Sequence, residues 1–428
     1  MPHDQFIALA QGCGGAEAVE NLVKAQHSRH MIMLHGVLRA AREGGRPDDQ
    51  LAVAGYELLA HVQRSDPDAV SAVVRYPSVG AWALRVLRGD ESIPGTHRSG
   101  LAAIGAAAAI RAGIAAEIEV QATDGRVVLP SLGAAAVTGP RALVRTSPGV
   151  VIDSAGGHVE VAPGAAGWQE LRSIQVGSLD VVVDDLDPFR MPAGDGEPTG
   201  RLTASEVSEL ARTLRDGREL LDPLSAGEIA ALVRVIVPYR PPESGYVSTS
   251  SADAFGAVGM SRQPDRYTCA ETLVHEAQHQ KLSALLDLVR LANPDDERRY
   301  YAPWREDPRP AGALLQGAYA FFGVSDFWRR QRQVAPEEAI RLRADTEFAR
   351  WRDGAALAVD TLLASGQLTA AGLSFLGEMA RVLGAWRGEQ VAPEALAIAQ
   401  GRAEQHLRQW HADNGHGGTV ATVPGLAC

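Results

Sequence analysis

ETLVHEAQHQKLSALLDLV, Glu271 to Val289, contains no glycine or proline, and it keeps Leu282 and Leu286 on the stripe that carries His275 and His279. That spacing predicts an amphipathic helix. With Asn293-Pro294 downstream as a stop, the helix is expected over Asp265 to Leu291. Two histidines four apart on a helix share a face, and their rings are close enough to hold one metal ion. The alternative for such a pair is two histidines hydrogen-bonded inside a core.

Working outward, the flanks define the fold class. Upstream, GYVSTSSADAFGAVGM (Gly245 to Met260) has the small and β-branched residues of an extended segment. Downstream, a Pro-rich loop YYAPWREDPRP precedes a helix starting near Ala311 that carries Leu315, Tyr319 and Phe322, and helical patterning continues to Trp410. From Phe6 to Ala115 the texture is helical, as in ENLVKAQHSRHMIMLHGVLRAAR and GYELLAHVQR. Between Ile118 and Val183 it changes to short Val-rich runs broken by Gly, Pro and Asp. Thr203 and Ser205 are candidate caps for a helix bearing Leu210 and Leu214, followed by an apolar run GEIAALVRVIVP. The expected class is α+β and predominantly helical. Residues 1–117 form an α-rich amino-terminal layer, 118–195 a small β-rich section ending in the Pro/Gly/Asp-rich FRMPAGDGEPTG, and 196–428 a helical metal-binding region. The Gly-rich end HGGTVATVPGLAC reads as a loose tail.

Composition narrows the setting. The 428 residues carry a net charge of −11, which disfavours nucleic acid as a partner. No apolar run reaches the length of about 18 residues that a membrane span needs, and MPHDQFIALAQ lacks the basic start and apolar stretch of a signal peptide. Cys13, Cys269 and Cys428 share no metal-type spacing and are odd in number, which argues against a disulfide framework. A cytoplasmic protein with no membrane partner is expected.

His275-Glu276-Ala277-Gln278-His279 is an HExxH motif, and in a zinc metallopeptidase Glu276 would be the general base on metal-bound water. The metzincin subclass needs Gly at 282 and His at 285, where this chain has Leu282 and Leu285. A peptidase of another subclass takes a third ligand from farther on, with Glu297, Glu306 and Asp326 as candidates. Glu271, one turn before His275, is too far along the helix to join both histidines on one ion; it is either an acceptor for an imidazole N–H or a solvated first-turn carboxylate. Arg305 and Arg309, set among Tyr300, Tyr301 and Trp304, suit bidentate grip of a carboxylate, or else pin the loop to Glu306 or Asp307.

ETLVHEAQHQKLSALLDLV, YYAPWREDPRP, GALLQGAYAFFGVSDFWRRQ and SSADAFGAV together resemble the HExxH-type peptide β-hydroxylases, Fe(II)- and 2-oxoglutarate-dependent enzymes that tailor ribosomally made peptides. AGYELLA, VGAWALRVL and DVVVDDLDPFR also look like that family, so the likeness spans most of the chain, with its specific blocks between residues 249 and 331. The resemblance implies that His275 and His279 hold Fe(II), that 2-oxoglutarate and O2 are cosubstrates, and that the substrate is a ribosomal precursor peptide, often one also processed by a radical SAM enzyme. On this reading Arg305 or Arg309 pairs with the distal carboxylate of 2-oxoglutarate and Glu276 orients rather than acts as a base. The family pattern carries a histidine in the block matching Gln316 to Phe321; here Gln316 is the candidate third ligand, unless that ligand comes from elsewhere or the site is altered. Other classes to weigh are the zinc peptidase and a metal-free peptide-binding relative.

Overall fold

The computed structural model describes residues 1–192 and 196–415. Helices come first: α1 (His3–Ala10), α2 (Gly15–Gly44), α3 (Asp49–Ser65), α4 (Pro67–Val74), α5 (Pro77–Arg88) and α6 (Gly100–Ala112). Strands follow: β1 (Glu117–Gln121), β2 (Arg126–Leu129), β3 (Gly133–Ala136), β4 (Arg141–Arg145), β5 (Val151–Ser154), β6 (Gly157–Glu160), β7 (Trp168–Glu170), β8 (Arg172–Val176) and β9 (Leu179–Val183). After them come α7 (Ala204–Arg218), α8 (Pro223–Leu232), β10 (Val235–Pro238), β11 (Ser248–Ser250) and β12 (Ala257–Met260). The last described elements are α9 (Arg266–Leu286), α10 (Ala311–Val334), α11 (Glu338–Ala364), α12 (Ala370–Arg387) and α13 (Pro393–Asn414). The fold is α+β and helix-rich, and among the described residues no helix is long and apolar enough to cross a membrane.

Local chemistry explains the element ends. Thr203 and Glu206 form a reciprocal capping box at the start of α7: Glu206 Oε2 accepts from Thr203 N at 2.6 Å, and Thr203 Oγ1 accepts from Glu206 N at 3.3 Å. GEIAALVRVIVP, one continuous apolar run in sequence, divides into the end of α8 and the buried strand β10. The strand half is the β-branched part, Val235, Ile236 and Val237. The helix that carries the histidine pair starts where expected, with Asp265 as its cap accepting from Thr268 N at 2.9 Å. It stops at Leu286 rather than Leu291, because Leu288 N turns to Leu285 O and tightens the last turn.

The compact units cut across the three consecutive blocks read from sequence. One comprises Met1–Leu22, Leu214–Leu232 and the chain from Asp265; the other comprises Val23–Thr213 and Val233–Pro264. Pairing partners distant in sequence cause the interleaving. In the first unit, α1 packs on α12, with Phe6 edge-on to Phe375 at 5.5 Å between ring centroids, and Glu228 of α8 pairs with Lys281 of α9. In the second, β10 lies parallel between β9 and β12, in a five-stranded sheet of order β11-β12-β10-β9-β8. Two antiparallel sheets, β1-β4-β5-β6 and β2-β3-β7, and the helices α3 to α6 also belong to that unit. The boundary expected near residue 195 and the tail from His416 lie outside the described residues.

DVVVDDLDPFR turns out to be structural where its acids follow β9. Asp184 accepts from Tyr76 Oη at 2.7 Å and Asp187 from Ser78 Oγ at 2.6 Å, while Asp185 takes Arg201 at 2.6 Å and also Arg172. The three carboxylates therefore tie the end of the strand to the α4–α5 junction and to the segment before α7. In the first unit the core around the histidine helix is built from Leu273, Leu282, Leu314, Leu315, Phe322 and Phe348, all essentially buried.

Candidate metal centre

α9 lies in a sleeve of helices within the first unit, packed chiefly on α10 and α8. Arg343 of α11 anchors its start through Asp265 at 2.9 Å. One face presents His275 and His279, whose Nε2 atoms are 3.1 Å apart. Behind His279, Nδ1 lies 3.2 Å from Gln316 Oε1 of α10, and the same amide donates from Nε2 to Ser283 Oγ at 3.2 Å. Gln316 therefore accepts from His279 Nδ1–H, which fixes the tautomer and leaves Nε2 as a bare lone pair turned toward His275. Burial lowers the pKa of His275 well below the ordinary imidazole value, and the neighbouring His279 lowers it further. A neutral imidazole results, as a metal ligand requires.

The donor set fits a chelating pair. Two metal–nitrogen bonds of about 2.1 Å at a right angle put the nitrogens about 3.0 Å apart, close to the observed 3.1 Å. The same separation serves a hydrogen bond from His275 Nε2–H to His279 Nε2, so a proton and a metal ion compete for one position. Among the described residues no group of three His, Cys, Asp or Glu gathers to hold an ion.

Aromatic rings close over the pair. Phe321 stands edge-on to His275 with centroids 4.9 Å apart, and it is stacked between Trp304 at 4.8 Å and Trp351 at 4.2 Å. Gly317 makes this possible, because a Cβ at that position would overlap the Trp304 indole. Arg350 lies over the Trp351 ring at 4.2 Å. Sequence reasoning singled out Trp304 but missed Phe321 and Trp351 as walls of this site. Phe321 has a signal in retrospect, since it lies in the block Gln316 to Phe321 already singled out in the sequence; Trp351 comes from another helix and has none.

The remaining expected residues are placed as follows. Gln316 is at the site, but its oxygen is on Nδ1 of His279, not beside the two Nε2 atoms where a third ligand would sit. Arg305 and Arg309 both turn to Asp307 of their own loop, at 3.4 and 3.1 Å, which is the loop-pinning arrangement. Backbone bonds between Tyr300 and Arg309 close that loop, and its Trp304 is the residue that reaches the aromatic stack. Glu276 is 1% exposed, a poor setting for a base that must meet water. The Glu271 carboxyl is pushed up to about 7 by burial and by Glu347, against the pull of Arg343 and Trp328, so its surroundings are those of an inter-helix carboxylate. Of the peptidase candidates, Glu297 and Glu306 are exposed and Asp326 pairs with Arg330 at 2.6 Å. Tyr319 donates to Leu9 O at 2.7 Å in the core. Cys13 and Cys269 are free thiols, and Cys428 lies outside the described residues.

No protein-family profile matches this chain, and no curated protein matches it.

Proposed function

We propose that this chain is an Fe(II)- and 2-oxoglutarate-dependent hydroxylase that acts on a side-chain Cβ of a ribosomal precursor peptide, with His275 and His279 as its protein ligands. The observation that carries the reading is the convergence of two imidazole Nε2 atoms at 3.1 Å, with the other ring nitrogen of His279 held by Gln316. The sequence likeness described above selects iron and an oxo acid over zinc. A two-ligand centre leaves positions open for a cosubstrate that binds through two atoms and for dioxygen. When bound, iron with 2-oxoglutarate and O2 supplies oxidation of a C–H bond, 2-oxoglutarate leaving as succinate and CO2.

The chain's own groups have simpler tasks. His279 is held in register by Gln316, and Gln316 by Ser283. Phe321, Trp304 and Trp351 keep water from one side of the pair. Arg305 or Arg309 would receive the distal carboxylate of the cosubstrate, exchanging Asp307 for it; both guanidiniums are partly exposed, so the exchange costs little. Glu276, buried beside His275, serves as a packing and orienting carboxylate rather than a base on water. An aromatic rather than a histidine beside His275 makes this a two-histidine variant of the centre.

The test is reconstitution. Protein loaded with Fe(II) without oxygen, then given O2, 2-oxoglutarate and the precursor peptide encoded beside its gene, is expected to form succinate and a peptide heavier by one oxygen atom. Peptide hydrolysis in place of oxygen insertion would point to the zinc peptidase, and tight peptide binding with no metal uptake would point to a metal-free relative.

A further inference from the structure

Arg75, Arg111 and Arg234 come together in the second unit from three separate elements. Arg75 caps the end of α4, Arg111 lies in the last turn of α6, which packs on α4, and Arg234 immediately precedes β10. Backbone contacts hold two of the positions. His30 Nδ1 meets Val74 O at 2.8 Å beside Arg75, and Arg234 is tied through its own backbone to Gly256 O and Val182 N at 2.9 Å each. Burial lowers the pKa of all three guanidiniums; at Arg234 the charge of Arg75 lowers it further, Asp180 opposes, and Arg111 adds to the fall.

No acid answers these cations. Among the described residues no carboxylate lies within ion-pair distance of Arg75, Arg111 or Arg234, and the side chains of Arg75 and Arg234 donate no hydrogen bond. Arg111 gives Nε to Ser131 Oγ at 2.9 Å and Nη2 to Ser131 O at 2.8 Å, with Nη1 unengaged. Tyr76, near Arg111, donates to Asp184, and that carboxylate is filled by Leu186 N and Asp187 N as well. The free donors can be reached: Arg75 and Arg234 are half-buried, and no guanidinium nitrogen of either is sealed from water.

Unpaired like charges that have lost part of their hydration are costly, and a bound anion removes the cost. The carbonyl ends of α4 and α6, worth about half a negative charge each, together match about one of the three cations. Asp180 is exposed, so water screens most of its pull. An excess of about two charges remains, which a phosphate dianion balances and a single carboxylate does not.

We propose that Arg75, Arg111 and Arg234 form an anion site that takes a phosphate group, either as the free ion or on a small molecule. The site does not depend on the metal reading, since none of its residues belongs to the unit that carries the histidine pair.

Equilibrium dialysis of the full-length protein against radiolabelled inorganic phosphate, at fixed ionic strength in sodium chloride, is expected to show saturable binding of about one phosphate per chain. Acetate is expected to compete at least about tenfold less well than unlabelled phosphate. Glycerol 2-phosphate distinguishes the sources: stronger competition by it than by phosphate marks an ester as ligand, and weaker competition marks the free ion. Arg75→Gln and Arg234→Gln are each expected to weaken phosphate about tenfold or more, the loss of charge-assisted hydrogen bonds. Each also relieves repulsion, so the melting temperature without phosphate is expected to hold or rise. Absence of saturable binding by the parent protein, equal competition by acetate, or binding unchanged in both variants would overturn the proposal. A lower melting temperature in both variants would mark the arginines as structural and overturn it too.

Discussion

Gln316 Oε1 sits 3.2 Å from His279 Nδ1, on the edge of the ring away from the Nε2 that faces His275. A residue in that place would act on a metal held by the pair without touching it. Gln316→Leu is expected to lower Fe(II) affinity about 10- to 100-fold while the fold persists, whereas Gln316→Glu, which can still accept from Nδ1–H, retains it. Competition against a metal indicator, without oxygen, measures this. Equal loss in both variants would mean that Gln316 acts through packing alone.

Phe321 occupies the flank of His275, with ring centroids 4.9 Å apart. Phe321→His would bring a third imidazole to the pair, and tighter Fe(II) retention by at least about tenfold is expected, at some loss of stability from the broken stack with Trp304 and Trp351. Metal remaining after desalting is the measurement. Unchanged or weaker retention would place the metal on another side of His275.

Lys281 and Glu228 form an ion pair in which both side chains are almost wholly buried, and Glu228 also receives Gly14 N and Gly15 N at 2.8 Å each. Lys281→Met alone is expected to destabilise the protein by about 3–5 kcal/mol, since it leaves a buried carboxylate unpaired. Adding Glu228→Gln should recover part of that loss. Urea unfolding of the two single variants and the double variant checks it; additive losses would show that the charges are not coupled.

Asp187, buried beside Asp184, has its carboxyl pushed up to about 7, first by burial and then by Asp184, against the hydrogen bonds from Ser78 and Phe189 and the charge of Arg190. An unfolded aspartate titrates near 3.9. Between these values the folded state holds a proton that the unfolded state has lost, so stability is greatest at the acid end and falls as pH rises through about 7. Asp187→Asn imitates the protonated form. Its melting temperature is expected to exceed that of the parent at pH 8 and to converge on it as pH falls to about 4; parallel pH profiles for the two proteins would contradict this.

What could be read from sequence was what depends on local periodicity. The α9 start at Asp265, the α10 start at Ala311 and the facing of His275 with His279 follow from helix caps and the four-residue spacing. Three other features depend on distant partners. GEIAALVRVIVP breaks into helix and strand because Val235 and Ile236 find Val182 and Val183. Arg305 and Arg309 turn to Asp307, a choice that loop composition left open. The third feature is the aromatic wall, where Trp304, Phe321 and Trp351 meet only after α10 and α11 pack. Gln316 shows the limit most clearly: its position one helix away was anticipated, while its role turns on which imidazole nitrogen it meets, and that is set by Ser283 on the other end of the amide.

The most direct measurement of the central claim is oxygen-dependent conversion of 2-oxoglutarate to succinate by the Fe(II)-loaded protein in the presence of precursor peptide, compared with His275→Ala treated in the same way. Succinate from the parent and none from the variant is the predicted result; equal rates from both, or from neither, would contradict a catalytic iron on His275 and His279.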